Sequence, residues 1–256
     1  VIPIPRLPVL VDLLDGLLQY GEKQFTYFRD LTSNPDFAPT FTDTHHDNQD
    51  VTLSREYILR QIIDRVATDA RVIMQAISQR VFYGKQAVEN QDARANNIMN
   101  TLDLADRVAY ASLQPAVESG ILEKPCTALA YFMRDPQVRV IPYSNVALIG
   151  IPLTCINQPR DFLAIPHEVG HYVYWNAHVQ GKRYQKIWRN IEHKLEKLPK
   201  DRKGRERKWL YKWSEEIFSD VYGALVGGAS VALSFQQLAN ETDEDGFESD
   251  DGHHPT

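Results

Sequence analysis

Cysteine is scarce: Cys126 and Cys155 are the only two in 256 residues. Two thiols cannot build a disulfide framework, and they lack the paired spacing of a thiolate metal site, so a reducing, cytoplasmic setting is expected. Long apolar runs are missing as well. The longest candidate, Ala224 to Phe235, is rich in Gly, Ala and Ser and falls short of the ~18 consecutive apolar residues a spanning helix needs. No transmembrane segment is expected. The opening VIPIPRLPVL has no basic flank ahead of an apolar stretch and three prolines in its first eight residues, which does not read as a signal peptide. With no internal repeat and no convincing linker, the chain reads as a single domain, 1–256. A content of 43% hydrophobic and 24% charged residues, with net charge −6, excludes a disordered or collagen-like chain and leaves enough apolar material for a core.

The apolar pattern is mainly helical. Leu10, Leu13, Leu14, Leu17 and Leu18 recur at helical spacing within 9–31, and the same period resumes over 51–81 and 85–113, so the half 1–135 is expected to be helical. From Pro136 to Pro159 the texture turns β-branched and is punctuated by Pro142, Ser144-Asn145 and Pro152, which predicts a hairpin or two short strands. Helical texture returns over 161–177, 182–198 and 205–238. An acidic tail, 241–256, has almost nothing apolar and reads as solvated. The expected fold class is α+β, predominantly helical, with a small β-sheet or hairpin ahead of the helix at 161–177.

That helix carries the chemistry. In IPHEVGHYVYW, His167, Glu168 and His171 form His-Glu-x-x-His, a pattern chance would supply about 0.013 times in a chain of this composition. Residues four apart lie about 40° apart around a helix and about 6 Å along it, so both imidazoles can converge on one ion, for which Zn²⁺ is the natural occupant. Glu168 projects beside the pair, where a carboxylate can take a proton from water at the metal and pass it to a leaving amine. A metzincin continuation would need Gly and His at the positions held by Tyr174 and Ala177, so a third ligand must come from elsewhere. WSEEIFSDVYG offers Glu216 and Asp220 on one helix face, with Glu215 beside them; helix phase with Asp220 favours Glu216, and Glu215 reads as a solvated acid.

His167-Glu168-x-x-His171 followed by Glu216-x-x-x-Asp220 resembles the gluzincin metallopeptidases, the group that includes thermolysin. The resemblance covers two helices. The long interval between the motifs is closer to soluble forms of CaaX-protease-like metallopeptidases. It implies a zincin-like fold, a peptide or protein substrate, zinc on His167, His171 and Glu216, Glu168 as general base, and Asp220 as acceptor for the far nitrogen of a ligand histidine. Asn145 to Pro152 then resembles the edge strand that holds an extended peptide in such enzymes. His254, in Asp251-Gly-His-His254-Pro255, resembles a His-Pro element whose imidazole donates to a developing oxyanion; Tyr174 and Tyr222 are alternative donors.

Other signals are discounted. From Gly181 to Trp213 there are thirteen basic and four acidic residues, a local +9 that leaves −15 elsewhere; a solvated helical hairpin explains it, and nucleic acid is not the expected partner. Asp43, His45, His46 and Asp47 read as a polar loop. Gly223, Gly227 and Gly228 are read as packing positions that let their helix approach the motif helix. A non-catalytic zinc protein is the alternative, marked by a closed four-ligand site with His178 or Asp220 on the metal.

Overall fold

A computed structural model describes residues 6–34, 41–42, 53–123, 126–134, 136–141, 143–197 and 209–233. The chain divides into two compact units, Val1–Val81 and Phe82–Thr256, with the boundary inside one continuous helix. Among the described residues no helix is long and apolar enough to cross a membrane.

In the first unit, α1 (Leu7–Ser33) buries Leu10, Leu13 and Leu17 along one stripe, as their spacing predicts. Short strands β1 (Phe41–Thr42) and β2 (Leu53–Ser54) pair in parallel and lead into α2 (Arg55–Glu89). The Asp43–Asp47 cluster lies outside the described residues. The expected helix break near 82–84 is displaced to 90–92. Gly84 is tolerated within α2, and the new helix starts where the Asp92 carboxylate accepts from the N–H groups of Arg94 at 2.8 Å and Ala95 at 3.4 Å.

The second unit is built on a three-stranded sheet packed against α3 (Ala93–Glu118) and α4 (Ile165–Asn176). The strands are β3 (Thr127–Met133), β4 (Gln137–Val140) and β5 (Val146–Pro152), in spatial order β3-β5-β4, with β5 parallel to β3 and antiparallel to β4. The hairpin expected after Pro136 is β4-β5. Strand β3 falls in the half expected to be all helical. TALAYFM has few β-branched residues, and burial on both faces hides the period-two alternation that marks a strand. Ala128, Ala130 and Phe132 of β3 and Ala147, Ile149 and Ile151 of β5 meet Leu102, Ala105, Ala109 and Leu113 of α3. The buried Asp106 carboxylate of α3 accepts from the β3 Ala130 N–H at 2.7 Å.

Strand β5 is paired on both sides, so the expected edge strand at 145–152 is corrected: an extended peptide cannot add to it. Strand β4, next to α4, is at the edge of this sheet.

Two short 3₁₀ turns, Leu153–Ile156 and Pro159–Ala164, run directly into α4. Pro166 sits in the first turn, where its missing N–H costs nothing. Val169, Tyr172 and Val173 are 0–1% exposed; each such side chain contributes about 1.5–3 kcal/mol, which anchors α4 without help from any ligand. After α4 the chain forms a hairpin of β6 (His178–Val179) and β7 (Lys182–Lys186), then α5 (Ile187–Leu195). The helix expected from residue 182 thus begins only at Ile187. Helix α6 (Trp209–Gly227) ends at Gly228, whose φ of +77° suits a residue without a Cβ.

Helices α4 and α6 run antiparallel at very short range because small residues face each other. A Cβ on Gly170 would lie 2.7 Å from Ser219 Cα, and one on Gly223 would lie 3.1 Å from His167 N. Gly170→Ala would regain up to about 1 kcal/mol of helix propensity, but overpacking against backbone costs about 1–3 kcal/mol. Net destabilisation of up to about 2 kcal/mol is therefore expected. A denaturant midpoint at or above that of the parent protein would contradict the close approach.

Candidate metal centre

The antiparallel register sets which side chains meet. Moving along α4 from His167 to Tyr174, contacts move backward along α6: His167 with Asp220 and Gly223, Gly170 with Ser219, His171 with Glu215, and Tyr174 with Ser214. Glu216 lies between, facing both imidazoles. Its Oε2 is 3.5 Å from His167 Nε2 and 3.6 Å from His171 Nε2, and the two Nε2 atoms are 3.0 Å apart.

The opposite ring nitrogens are each held by a carboxylate. His167 Nδ1 donates to Asp220 Oδ1 at 2.9 Å, and His171 Nδ1 donates to Glu215 Oε1 at 2.9 Å. Since a carboxylate only accepts, both Nδ1 atoms carry hydrogen and both Nε2 atoms point inward. Two Nε2 atoms and a carboxylate oxygen at such separations call for a proton or a metal cation among them. The donor set fits one. Ligands about 2.0–2.1 Å from a tetrahedral ion are about 3.3–3.4 Å apart, close to the observed triangle, and two imidazoles with one carboxylate are a zinc-type set. Among the described residues, the group that can hold a metal comprises His167, His171 and Glu216. Asp220 is engaged by His167 and His178 lies on β6, neither belonging to this group.

The same convergence attracts protons. Burial alone would depress His167, but hydrogen bonds to Asp220 and Glu216 and the charges of Glu168 and Asp220 carry it up to about 9 from an ordinary 6.5. In the metal-free protein this charged imidazole contributes stability that is fully present below about 6.5 and lost as pH rises through about 9.

Glu168 is 9% exposed and lines a cleft of about 290 Å³ with Pro136, Gln137, Val138, His167, His171, Glu215 and Glu216. Burial pushes its carboxyl above the ordinary range; the facing histidines and a backbone hydrogen bond from Val138 pull it down, while the Glu216 charge pushes it up. The result is a carboxylate more basic than usual at the cleft wall, suited to accepting a proton. Strand β4 supplies the opposite wall.

Glu215 is corrected from a solvated acid to a half-buried partner of His171: its Oε1 accepts from His171 Nδ1 and also from Trp175 Nε1, at 2.6 Å. A signal was present in the sequence, since Trp175 stands one helical turn beyond His171 and a Glu-Glu doublet can serve two histidines. The proposed tyrosine donors are engaged elsewhere. Tyr222 OH donates to the Ser112 carbonyl at 2.7 Å, and Tyr174 OH is 3.0 Å from Ser214 Oγ. His254 lies outside the described residues. No protein-family model, curated protein or solved structure matches the chain.

Proposed function

We propose that this protein is a zinc-dependent peptidase with a zincin-like fold and a gluzincin-type site. One observation carries the reading: His167 Nε2, His171 Nε2 and Glu216 Oε2 converge within 4.8 Å, with a buried Glu168 at the same cleft. Zinc held there would supply Lewis acidity toward water and a substrate carbonyl. Glu168 takes a proton from the attacking water and returns it to the departing amine nitrogen. Asp220 and Glu215 hold the two imidazoles in the Nδ1–H form. Strand β4, which borders the cleft, is the better place for an extended peptide substrate, in place of β5. Two free thiols, Cys126 and Cys155, suit a reducing cytoplasmic setting.

The test is a zinc titration at several pH values, read by competition with a chromophoric chelator, alongside hydrolysis of a quenched fluorescent peptide pool. One zinc per chain and chelator-sensitive cleavage are expected. Because zinc must displace the proton that His167 holds up to about 9, affinity should rise with pH by up to about tenfold per unit below that value and level off above it. Absence of tight zinc binding, or cleavage indifferent to chelation, would overturn the reading.

A further inference from the structure

The hydrogen bond from Trp175 to Glu215 is the last link of a chain that starts outside the metal site. Trp175 is 37% exposed, too open to be explained by core packing alone. Its ring is held on two sides, edge-on to Tyr174 at 5.3 Å and tilted against Trp188 of α5 at 5.3 Å, and Trp188 lies under the Arg189 guanidinium at 5.1 Å. The indole is therefore positioned by ring contacts within α4 and with α5. From that fixed ring Nε1–H reaches Glu215 Oε1 at 2.6 Å, the same oxygen that accepts from His171 Nδ1 at 2.9 Å.

We propose that Trp175 is a positioning residue whose indole N–H clamps the Glu215 carboxylate onto His171 Nδ1, and thereby sets how tightly the site holds zinc. The proposal rests on His171 being a metal ligand. The Glu215 side chain is 27% exposed and long, so without a second tether it samples several rotamers in water. The indole removes that freedom before the metal arrives. Its N–H is a neutral donor with no acceptor capacity, so it fixes the oxygen without taking over the His171 proton. The ordering entropy of a Glu side chain is worth up to about tenfold in an equilibrium constant, which sets the scale for Trp175; loss of the whole outer carboxylate typically costs 10–100-fold, which sets the scale for Glu215.

The test is a double-variant cycle on zinc affinity, measured by chelator competition on the intact protein, with no assay of hydrolysis. Trp175→Phe keeps an aromatic ring between Tyr174 and Trp188 and removes only the donor. It should weaken zinc binding about three- to tenfold, and Glu215→Ala about 10–100-fold. Combining the two should give no more loss than Glu215→Ala alone, because the donor acts only through that carboxylate. Trp188→Phe, which keeps an aromatic ring against the Trp175 indole and leaves its N–H in place, should stay within about twofold of the parent protein.

The ¹⁵N–¹H indole resonance of Trp175 gives a second measurement that needs no Trp175 variant. It should move when zinc is added to the parent protein and become insensitive to zinc in Glu215→Ala. Parent-like affinity in Trp175→Phe, losses that multiply in the double variant, or an indole signal indifferent to zinc would each overturn the clamp. If the parent protein binds zinc and these results fail, only the clamp is lost; if the parent protein binds none, the peptidase reading falls with it.

Discussion

Glu168→Gln is expected to abolish peptide hydrolysis while leaving zinc in place. The substitution conserves shape and removes the ability to accept a proton, so only the general-base step is deleted. Such a step typically contributes 10²–10⁴-fold, and the loss in kcat should reach at least the lower figure. Folding gives no reason for the variant to fail. Glu168 is 9% exposed and burial pushes its carboxyl upward, which means that the charge is tolerated at a cost, and a neutral amide relieves that cost. Zinc affinity should change little, because the carboxylate is not one of the converging donors. Turnover within tenfold of the parent protein would remove Glu168 from its role. Loss of zinc from this variant would instead make Glu168 a ligand, and a site without a separate base would suit a non-catalytic zinc protein.

Glu216→Ala is expected to produce the largest fall in zinc affinity of any single carboxylate at the site. Its Oε2 is 3.5 and 3.6 Å from the two Nε2 atoms; its removal leaves two neutral imidazoles and no anionic donor. Partners behind the ligands typically cost 10–100-fold when removed, so Glu216→Ala should exceed 100-fold and Asp220→Asn should fall within that range. The comparison separates the two roles, since a pair of equal effects would mean that both carboxylates, or neither, touch the metal. The fold should persist, because α4 is anchored by Val169, Tyr172 and Val173 in the core; the variant loses the share of metal-free stability that Glu216 lends by raising His167. A zinc affinity in Glu216→Ala equal to that of the parent protein would dismantle the proposed ligand set.

How much of this was readable from the chain differs from element to element. The period of Leu10, Leu13 and Leu17 marks the buried stripe of α1 directly, since amphipathicity is a local property of a helix on a surface. Strand β3 was not readable, because a strand covered on both faces loses its alternation, and TALAYFM is equally compatible with a buried helix. The order β3-β5-β4 was equally out of reach. Pairing partners are chosen by the sheet as a whole, and that choice moved the edge strand from 145–152 to 137–140.

At the site, the interval of four between His167 and His171 places both rings on one helix face whatever the rest of the molecule does, because 3.6 residues make a turn. That geometry belongs to the sequence. Which carboxylate reaches which nitrogen does not: Glu215, Glu216 and Asp220 all lie on α6, and only its antiparallel approach, permitted by the bare backbones of Gly170 and Gly223, directs them to His171 Nδ1, to both Nε2 atoms and to His167 Nδ1. Local periodicity is written residue by residue along a chain, whereas the meeting of two helices depends on every side chain that keeps them apart or lets them touch.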